Sequence, residues 1–310
     1  MADAGAEMVQ LPGGRFRMGS DRHYAEEAPV RWREVAPFRI DRTPVTNRAF
    51  AAFVQATGHV TVAEQSPDPA LYPGVDPARL RPGALVFRLG RGVTRRVHWS
   101  DGWRYVSGAQ WRKPEGQASV WRGRLDHPVV QVAHADALAY AHWAGKDLPT
   151  EAEFEYAARG GLDGATYAWG DERRPDGRIM ANHWTRTYPQ DVGGGHGFEG
   201  TSPVGSFPAN GHGLSDMIGN VWEWTKDYWR GGHDAPACCG GDPAALSRDP
   251  ALPGVAIPRR VVKGGSFLCC ESYCDRYRPA ARQPQMEDTA ACHIGFRCVV
   301  RDAAGASANG

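Results

Sequence analysis

Glycine and proline supply 38 and 23 of the 310 residues, about a fifth of the chain, and they are spread among 11 Trp, 10 Tyr and 10 Phe. Ordinary proteins carry about 12% of the two together. Each glycine or proline interrupts a helix or a strand ladder, so long regular elements are excluded. The aromatic load and a hydrophobic content of 42% nevertheless give enough apolar surface for a sizeable core and argue against disorder. A compact, loop-rich α+β chain is expected. The formal net charge of +1 offers no basic field for counterion-driven binding of nucleic acid. No run of eighteen apolar residues occurs, and residues 1–10 lack the basic and apolar regions of a signal peptide. The expectation is a soluble, cytoplasmic monomer that engages neither membrane nor nucleic acid.

Local signals fix a few elements. Thr46 caps a run in which Phe50, Phe53 and Val54 recur at helical spacing before Gly58, which predicts a helix over 47–57. A second helix is predicted over about 136–144, with Leu138, Ala141 and Trp143 inward and Gly145 as its stop. A third follows from the capping box Thr150-Glu-Ala-Glu153, with Phe154, Ala157 and Ala158 inward before Gly160. Strands are expected at 84–89, 95–99, 219–224, 260–262 and 296–300. The remainder of 58–126 reads as long ordered loop, of the kind that binds something. Without an internal repeat or a linker, residues 1–301 read as one domain and 302–310 as a frayed tail. Only Lys113, Lys146, Lys226 and Lys263 are lysines among the 36 basic residues. Guanidinium forks tying loops together would account for that bias, and so would genome composition.

The segment with most chemistry runs from Arg260 to Arg278 and holds Cys269 and Cys274 five residues apart beside Lys263, Arg276 and Arg278. Such an electropositive setting lowers thiolate pKa and raises reactivity; a buried pair or a local disulfide is the plainer reading. Seven cysteines, none before Cys238, do not make a disulfide framework. Four-coordinate zinc lacks ligands here, while two soft thiolates suit Cu(I). Asp216-Met-Ile-Gly-Asn-Val-Trp-Glu223 places oxygen ligands at alternating positions, where a turn would aim the Gly219 and Val221 carbonyls and two carboxylates at one cation such as Ca²⁺; a solvated turn leading into a strand is the alternative. Ser266 follows Gly264-Gly265, yet Leu268 stands where a nucleophile elbow requires glycine. The glycines at 13–14 and 193–195 lack a phosphate-loop context and read as turns. Cys238 and Cys239 read as incidental loop thiols.

Taken together, these segments resemble the formylglycine-generating enzyme family, or sulfatase-modifying factors. The likeness runs through Met8-Val-Gln-Leu-Pro-Gly-Gly-Arg-Phe-Arg-Met-Gly19, Pro44-Val-Thr-Asn47, His127-Pro-Val129, Trp143-Ala-Gly-Lys-Asp-Leu-Pro-Thr-Glu-Ala-Glu153, Gly219-Asn-Val-Trp-Glu-Trp224, Gly264-Gly-Ser-Phe267 and Gly295-Phe-Arg-Cys298. Cys269 and Cys274, with Ser266 and Tyr273 around them, match the competent branch. The resemblance implies a fold related to C-type lectins, with little regular secondary structure. It also implies a copper-dependent oxidation, by molecular oxygen, of the cysteine in a sulfatase's Cys-x-Pro-x-Arg segment to Cα-formylglycine. By position, Cys269 and Cys274 would hold copper, Ser266 and Tyr273 would position oxygen or substrate, and Trp222 would wall the pocket. One calcium site would map onto Asp216, Gly219, Val221 and Glu223. Another would map onto Asn182, His183 and Phe198, with His196 where an aspartate is expected, so that Asp191 or water would have to serve there. Disulfide partners of secreted relatives map onto Ala141, Ala158 and Pro279, leaving Cys298 unpaired and implying a reducing compartment. Acidic grips for the substrate arginine are replaced by Pro44 and Gly83. Two rivals are a non-catalytic lectin-like module, with the thiols as packing residues, and a sulfoxide synthase on the same fold, whose His-x-x-x-His-x-Glu motif does not occur here.

Overall fold

In the computed structural model, residues 7–88, 102–185, 197–233 and 241–301 are described. The expected segment 95–99, Cys238, Cys239, Asp191, the glycines at 193–195, His196 and the tail 302–310 lie outside them. Short strands are tied together by sequence-distant pairings. β1 (Met8–Leu11), β4 (Phe38–Asp41) and β11 (Val299–Arg301) form an antiparallel sheet in the order β1-β4-β11, with Ile40 opposite both Val9 and Val299. β2 (Gly14–Met18) pairs β3 (Arg31–Val35), and β5 (Gly83–Phe87) pairs β6 (Trp103–Ser107). The remaining sheet has the order β10-β7-β8-β9, from Ile294–Gly295, Trp222–Tyr228, Arg259–Lys263 and Arg282–Met286.

α1 (Asn47–Thr57) has the predicted bounds: the Thr46 side chain accepts the Ala49 N–H at 3.2 Å, and Gly58 adopts the left-handed conformation at φ 71° that ends the helix. α3 (Glu151–Arg159) begins at the expected capping box, where Glu153 N–H donates to Thr150 Oγ1 and Thr150 N–H donates to the Glu153 carboxylate. α2 departs from expectation. It spans His134–Trp143, two residues earlier, because the Asp136 carboxylate accepts the Ala133 N–H at 2.9 Å and so caps the first turn. Its fully buried face is Ala137, Tyr140 and Ala141, while Leu138 and Trp143 are only partly buried. α4 (Pro243–Leu246) is a single turn. Among the strands, 84–89 is realised as β5. The expected strand 219–224 starts only at Trp222, since Asn220 holds φ 58° in a turn. Of the expected strand 296–300 only Val299 and Val300 are extended, in β11; residues 296–298 link it to β10, and there Arg297 turns its side chain inward to Glu223.

The core is aromatic. Phe50 meets Trp111 edge-on at 5.2 Å, and Tyr140 meets Phe296 at 5.3 Å. A second cluster lies between α3 and the β1-β4-β11 sheet, around Phe16, Phe38, Ile40, Phe154 and Val299. Guanidinium forks do tie the loops: Arg278 grips Glu27, Arg282 grips Glu151 and Arg297 grips Glu223, each through two nitrogens and each buried. No helix among the described residues is long and apolar enough to cross a membrane.

Candidate active site

β8 ends at Lys263 and the chain turns sharply through Gly264 and Gly265, at φ 91° and 75°. A Cβ on Gly265 would stand 2.5 Å from the Arg276 carbonyl oxygen, and one on Gly264 would stand 2.9 Å from that of Met217, so only glycine lets the strand end pass this close. The chain then folds over itself. Cys269 N–H donates to the Ser266 carbonyl at 2.9 Å, Cys274 N–H donates to the Cys270 carbonyl at 2.9 Å, and Trp184 N–H fixes the Cys269 carbonyl at 2.8 Å. Cys269 and Cys274 are thereby brought face to face.

Their Sγ atoms lie 3.6 Å apart, within S–H···S reach, and both are free thiols. Cys269 is buried and Cys274 partly exposed. The two sulfurs are made unlike. Cys274 is held below the usual thiol range, because the Cys269 thiol donates to its thiolate and Arg276 lies beside it. Cys269 is pushed far up, because it shares that hydrogen bond as the protonated partner and is fully desolvated. The expected lowering of both thiols by three cations is therefore corrected. Lys263 is buried against Glu155 at 2.9 Å and Arg278 against Glu27, and of the three only Arg276, itself paired with Glu26, lies close enough to act on the thiols.

Cys269 and Cys274 line a pocket of about 470 Å³ together with Trp222, Ser266 and Tyr273, so the five expected catalytic residues share one cavity. Trp222 is buried in its wall and Tyr273 stands exposed. The Ser266 main-chain N–H donates to Cys269 Sγ at 3.4 Å, and its Oγ accepts the Leu268 N–H at 3.3 Å, which makes Ser266 a clamp on the cysteine turn. The sequence reading missed Tyr24, Glu26, Trp103 and His293, which also border the pocket. Arg276 pairs with Glu26 at 2.6 Å and stacks over Tyr24 at 3.7 Å. No local motif marks these residues, because they arrive from distant segments.

Asp216, Gly219, Val221 and Glu223 are also brought together in the interior. Asp216 accepts the Gly205 N–H at 2.7 Å. The Glu223 carboxylate takes Arg297 through two nitrogens at 2.7 and 2.8 Å, and the same guanidinium reaches the Asp216 carbonyl at 3.0 Å. Two buried carboxylates thus lie near one guanidinium, which bonds the Glu223 carboxylate and only the main chain of Asp216; an oxygen-ligated cation fits beside the Asp216 carboxylate. Asn182, His183 and Phe198 border a different cavity of about 490 Å³. There the Asn182 amide nitrogen donates to the Gly200 carbonyl and to Ser202. That set holds no carboxylate, so it fits Ca²⁺ poorly. Among the described residues no cluster of three or more His, Cys, Asp or Glu is placed to hold a metal.

Residues 2–302 match the sulfatase-modifying factor enzyme 1-like domain, and the chain belongs to that family. Within it, the chain is 55% identical over 303 residues to the formylglycine-generating enzyme of Mycobacterium tuberculosis, an alignment covering 96% of this chain and 99% of that one. It is 48% identical over 295 residues to the formylglycine-generating enzyme of Thermomonospora curvata, covering 94% and 92%. Among solved structures, PvdO from Pseudomonas aeruginosa superposes with a TM-score of 0.62 at 27% identity, covering 96% of this chain and 95% of that one.

Proposed function

We propose that this protein is a copper-dependent formylglycine-generating oxidase, which converts the cysteine of a Cys-x-Pro-x-Arg segment in an unfolded sulfatase to Cα-formylglycine with molecular oxygen. The observation that carries the reading is the pair of thiols 3.6 Å apart in one pocket, in a chain whose relatives of 48–55% identity are formylglycine-generating enzymes. Two sulfur donors that, among the described residues, belong to no cluster of three or more His, Cys, Asp or Glu placed to hold a metal fit Cu(I) better than a tetrahedral zinc site. Cys269 and Cys274 would hold the ion, which supplies a soft Lewis-acid site for a thiolate and for oxygen.

The chain's own residues supply the setting. Trp222, Trp103, Phe87 and Leu268 line the pocket with apolar surface and exclude water from it as the substrate enters. Ser266 and Arg276 hold the two sulfurs in place and in unlike charge states. Tyr273, exposed beside Cys274, meets the arriving polypeptide. Overall, the substrate's CH₂–SH loses two electrons and two protons to give a thioaldehyde, which water hydrolyses to aldehyde and H₂S. Oxygen takes those two electrons and two more from a thiol reductant, and is reduced to water. Calcium bound by Asp216, Glu223 and the Gly219 and Val221 carbonyls would brace the turn that precedes Trp222. The free thiols of the described cysteines agree with a reducing compartment, and we read the protein as a cytoplasmic monomer.

The test is to incubate the Cu(I)-loaded protein with a Cys-x-Pro-x-Arg peptide, a thiol reductant and air, and to look for aldehyde by mass spectrometry. Aldehyde formation that is lost in Cys269→Ala and in Cys274→Ala is expected; full activity in either variant overturns the reading.

A further inference from the structure

His293 borders the thiol pocket yet takes no part in the chemistry above. Its main chain is fixed on both sides: Cys292 N–H donates to the Leu85 carbonyl at 3.0 Å, and the His293 carbonyl accepts the Trp222 N–H at 2.8 Å. Its ring leans on Trp103 at 4.7 Å between centroids. The residue is only 9% exposed, and its Nδ1 is sealed from solvent with no hydrogen-bond partner. Leaving such an atom unsatisfied costs about 1–3 kcal/mol, and a purely packing role is served equally well by a phenyl ring. Two other polar side chains on the wall are engaged within the protein, Glu26 with Arg276 and Ser266 Oγ with the Leu268 N–H. The imidazole on the pocket wall therefore retains unused hydrogen-bonding capacity, and a half-turn about Cβ–Cγ exchanges the positions of its two nitrogens, so that either can be presented to whatever fills the pocket.

We propose that His293 is a substrate-binding residue, whose imidazole hydrogen-bonds the main chain of the incoming polypeptide beside its target cysteine. This rests on the reading that the pocket receives a peptide thiol. Burial pushes the His293 pKa down to about 3, so the ring is neutral at physiological pH and acts by hydrogen bonding, with no proton transfer. A neutral imidazole offers one N–H and one lone pair, which complement a peptide carbonyl or amide.

The test uses the full chain and a Cys-x-Pro-x-Arg peptide with serine in place of cysteine, so that binding is read by fluorescence anisotropy without turnover. His293→Phe keeps the ring and the Trp103 contact, and is expected to weaken peptide Kd about tenfold, the loss of one buried hydrogen bond. With the cysteine peptide, KM should rise by the same factor, kcat should stay within about twofold and the pH profile should not change. His293→Asn, which restores a donor and an acceptor, should recover most of the affinity. His293→Leu repeats the comparison should the phenylalanine variant not fold. An unchanged Kd in the apolar variants overturns the proposal, as does a fall in kcat at constant Kd. Wild-type protein that binds the serine peptide but makes no aldehyde refutes the oxidase reading alone. Wild-type protein that binds no peptide overturns both.

Discussion

Arg278 places two guanidinium nitrogens 2.6 and 2.7 Å from the two carboxylate oxygens of Glu27, 251 residues earlier in the chain, with both side chains fully buried. The neighbouring residues repeat the arrangement at the pocket, where Glu26 holds Arg276 and Tyr24 lies beneath its guanidinium. One short turn, Ala25–Glu27, thus anchors the two arginines that follow Cys274. The position of that thiol depends on a loop from the other end of the sequence.

Breaking this anchor on one side leaves a desolvated charge without its partner, which costs about 3–5 kcal/mol. Arg278→Met is therefore expected to lower stability by that amount in urea unfolding. Arg278→Met combined with Glu27→Leu should recover much of it, because an apolar pair of similar volume carries no desolvation cost. A single variant as stable as the wild type would show that the pair is not an anchor.

At Gly265 the limit is steric. The left-handed backbone alone costs a non-glycine residue about 1–2 kcal/mol, and the new Cβ meets the Arg276 carbonyl oxygen at 2.5 Å, so Gly265→Ala must displace the strand end from the 274–277 segment. The expected outcome is a loss of more than about 2 kcal/mol together with a loss of aldehyde formation. Wild-type stability and activity in this variant would contradict the turn described here.

Legibility in the sequence followed the range of the interaction. α1 could be read residue for residue because its cap, apolar stripe and glycine stop all lie within one window of Thr46–Gly58, and α3 for the same reason. The start of α2 is not legible from its apolar stripe and Gly145 stop, because the first turn is closed by Asp136 reaching back to the Ala133 N–H, and alanine at the N-cap position gives no signal. The thiol pair stands out by its spacing beside basic residues, and Ser266, Tyr273 and Trp222 only through the family resemblance. Tyr24, Glu26 and His293 do not stand out, because each reaches the pocket through tertiary contacts that leave no periodicity or spacing in the chain. The electropositive reading of Lys263 and Arg278 failed on the same point: their buried carboxylate partners, Glu155 and Glu27, lie far away in sequence and neutralise them.

The unlike thiols give a chemical prediction for metal-free protein. Thiolate is the reacting form, and it is Cys274 that is held low and partly exposed, while Cys269 is held high and buried. Brief iodoacetamide treatment near neutral pH, read by peptide mapping, should label Cys274 well before Cys269. Cys269→Ala removes the donor that stabilises the Cys274 thiolate, so labelling of Cys274 in that variant should slow and shift to higher pH. Equal labelling of the two positions, or faster labelling of Cys274 in the variant, would contradict the assignment.

The cation proposed at Asp216 and Glu223 should be felt in the stability of the fold. Their carboxylates are both buried, and Arg297 bonds that of Glu223 but only the main-chain carbonyl of Asp216, so an ion that binds only the folded protein neutralises the charge on Asp216 and stabilises the fold by mass action, about 2.7 kcal/mol at a hundred times its Kd. Chelator-treated protein should therefore gain several degrees in Tm on addition of Ca²⁺, and much less with Mg²⁺, which demands a smaller octahedral shell. Asp216→Asn removes the unshared charge while keeping an acceptor for the Gly205 N–H, so its Tm should no longer respond to calcium. Glu223→Gln acts in the opposite sense on the fold, because it leaves Arg297 buried without its carboxylate, and should destabilise the protein whether or not calcium is present. A wild-type Tm indifferent to calcium, or an undiminished response in Asp216→Asn, would place the cation elsewhere and leave Arg297 as the sole counter-charge of this turn.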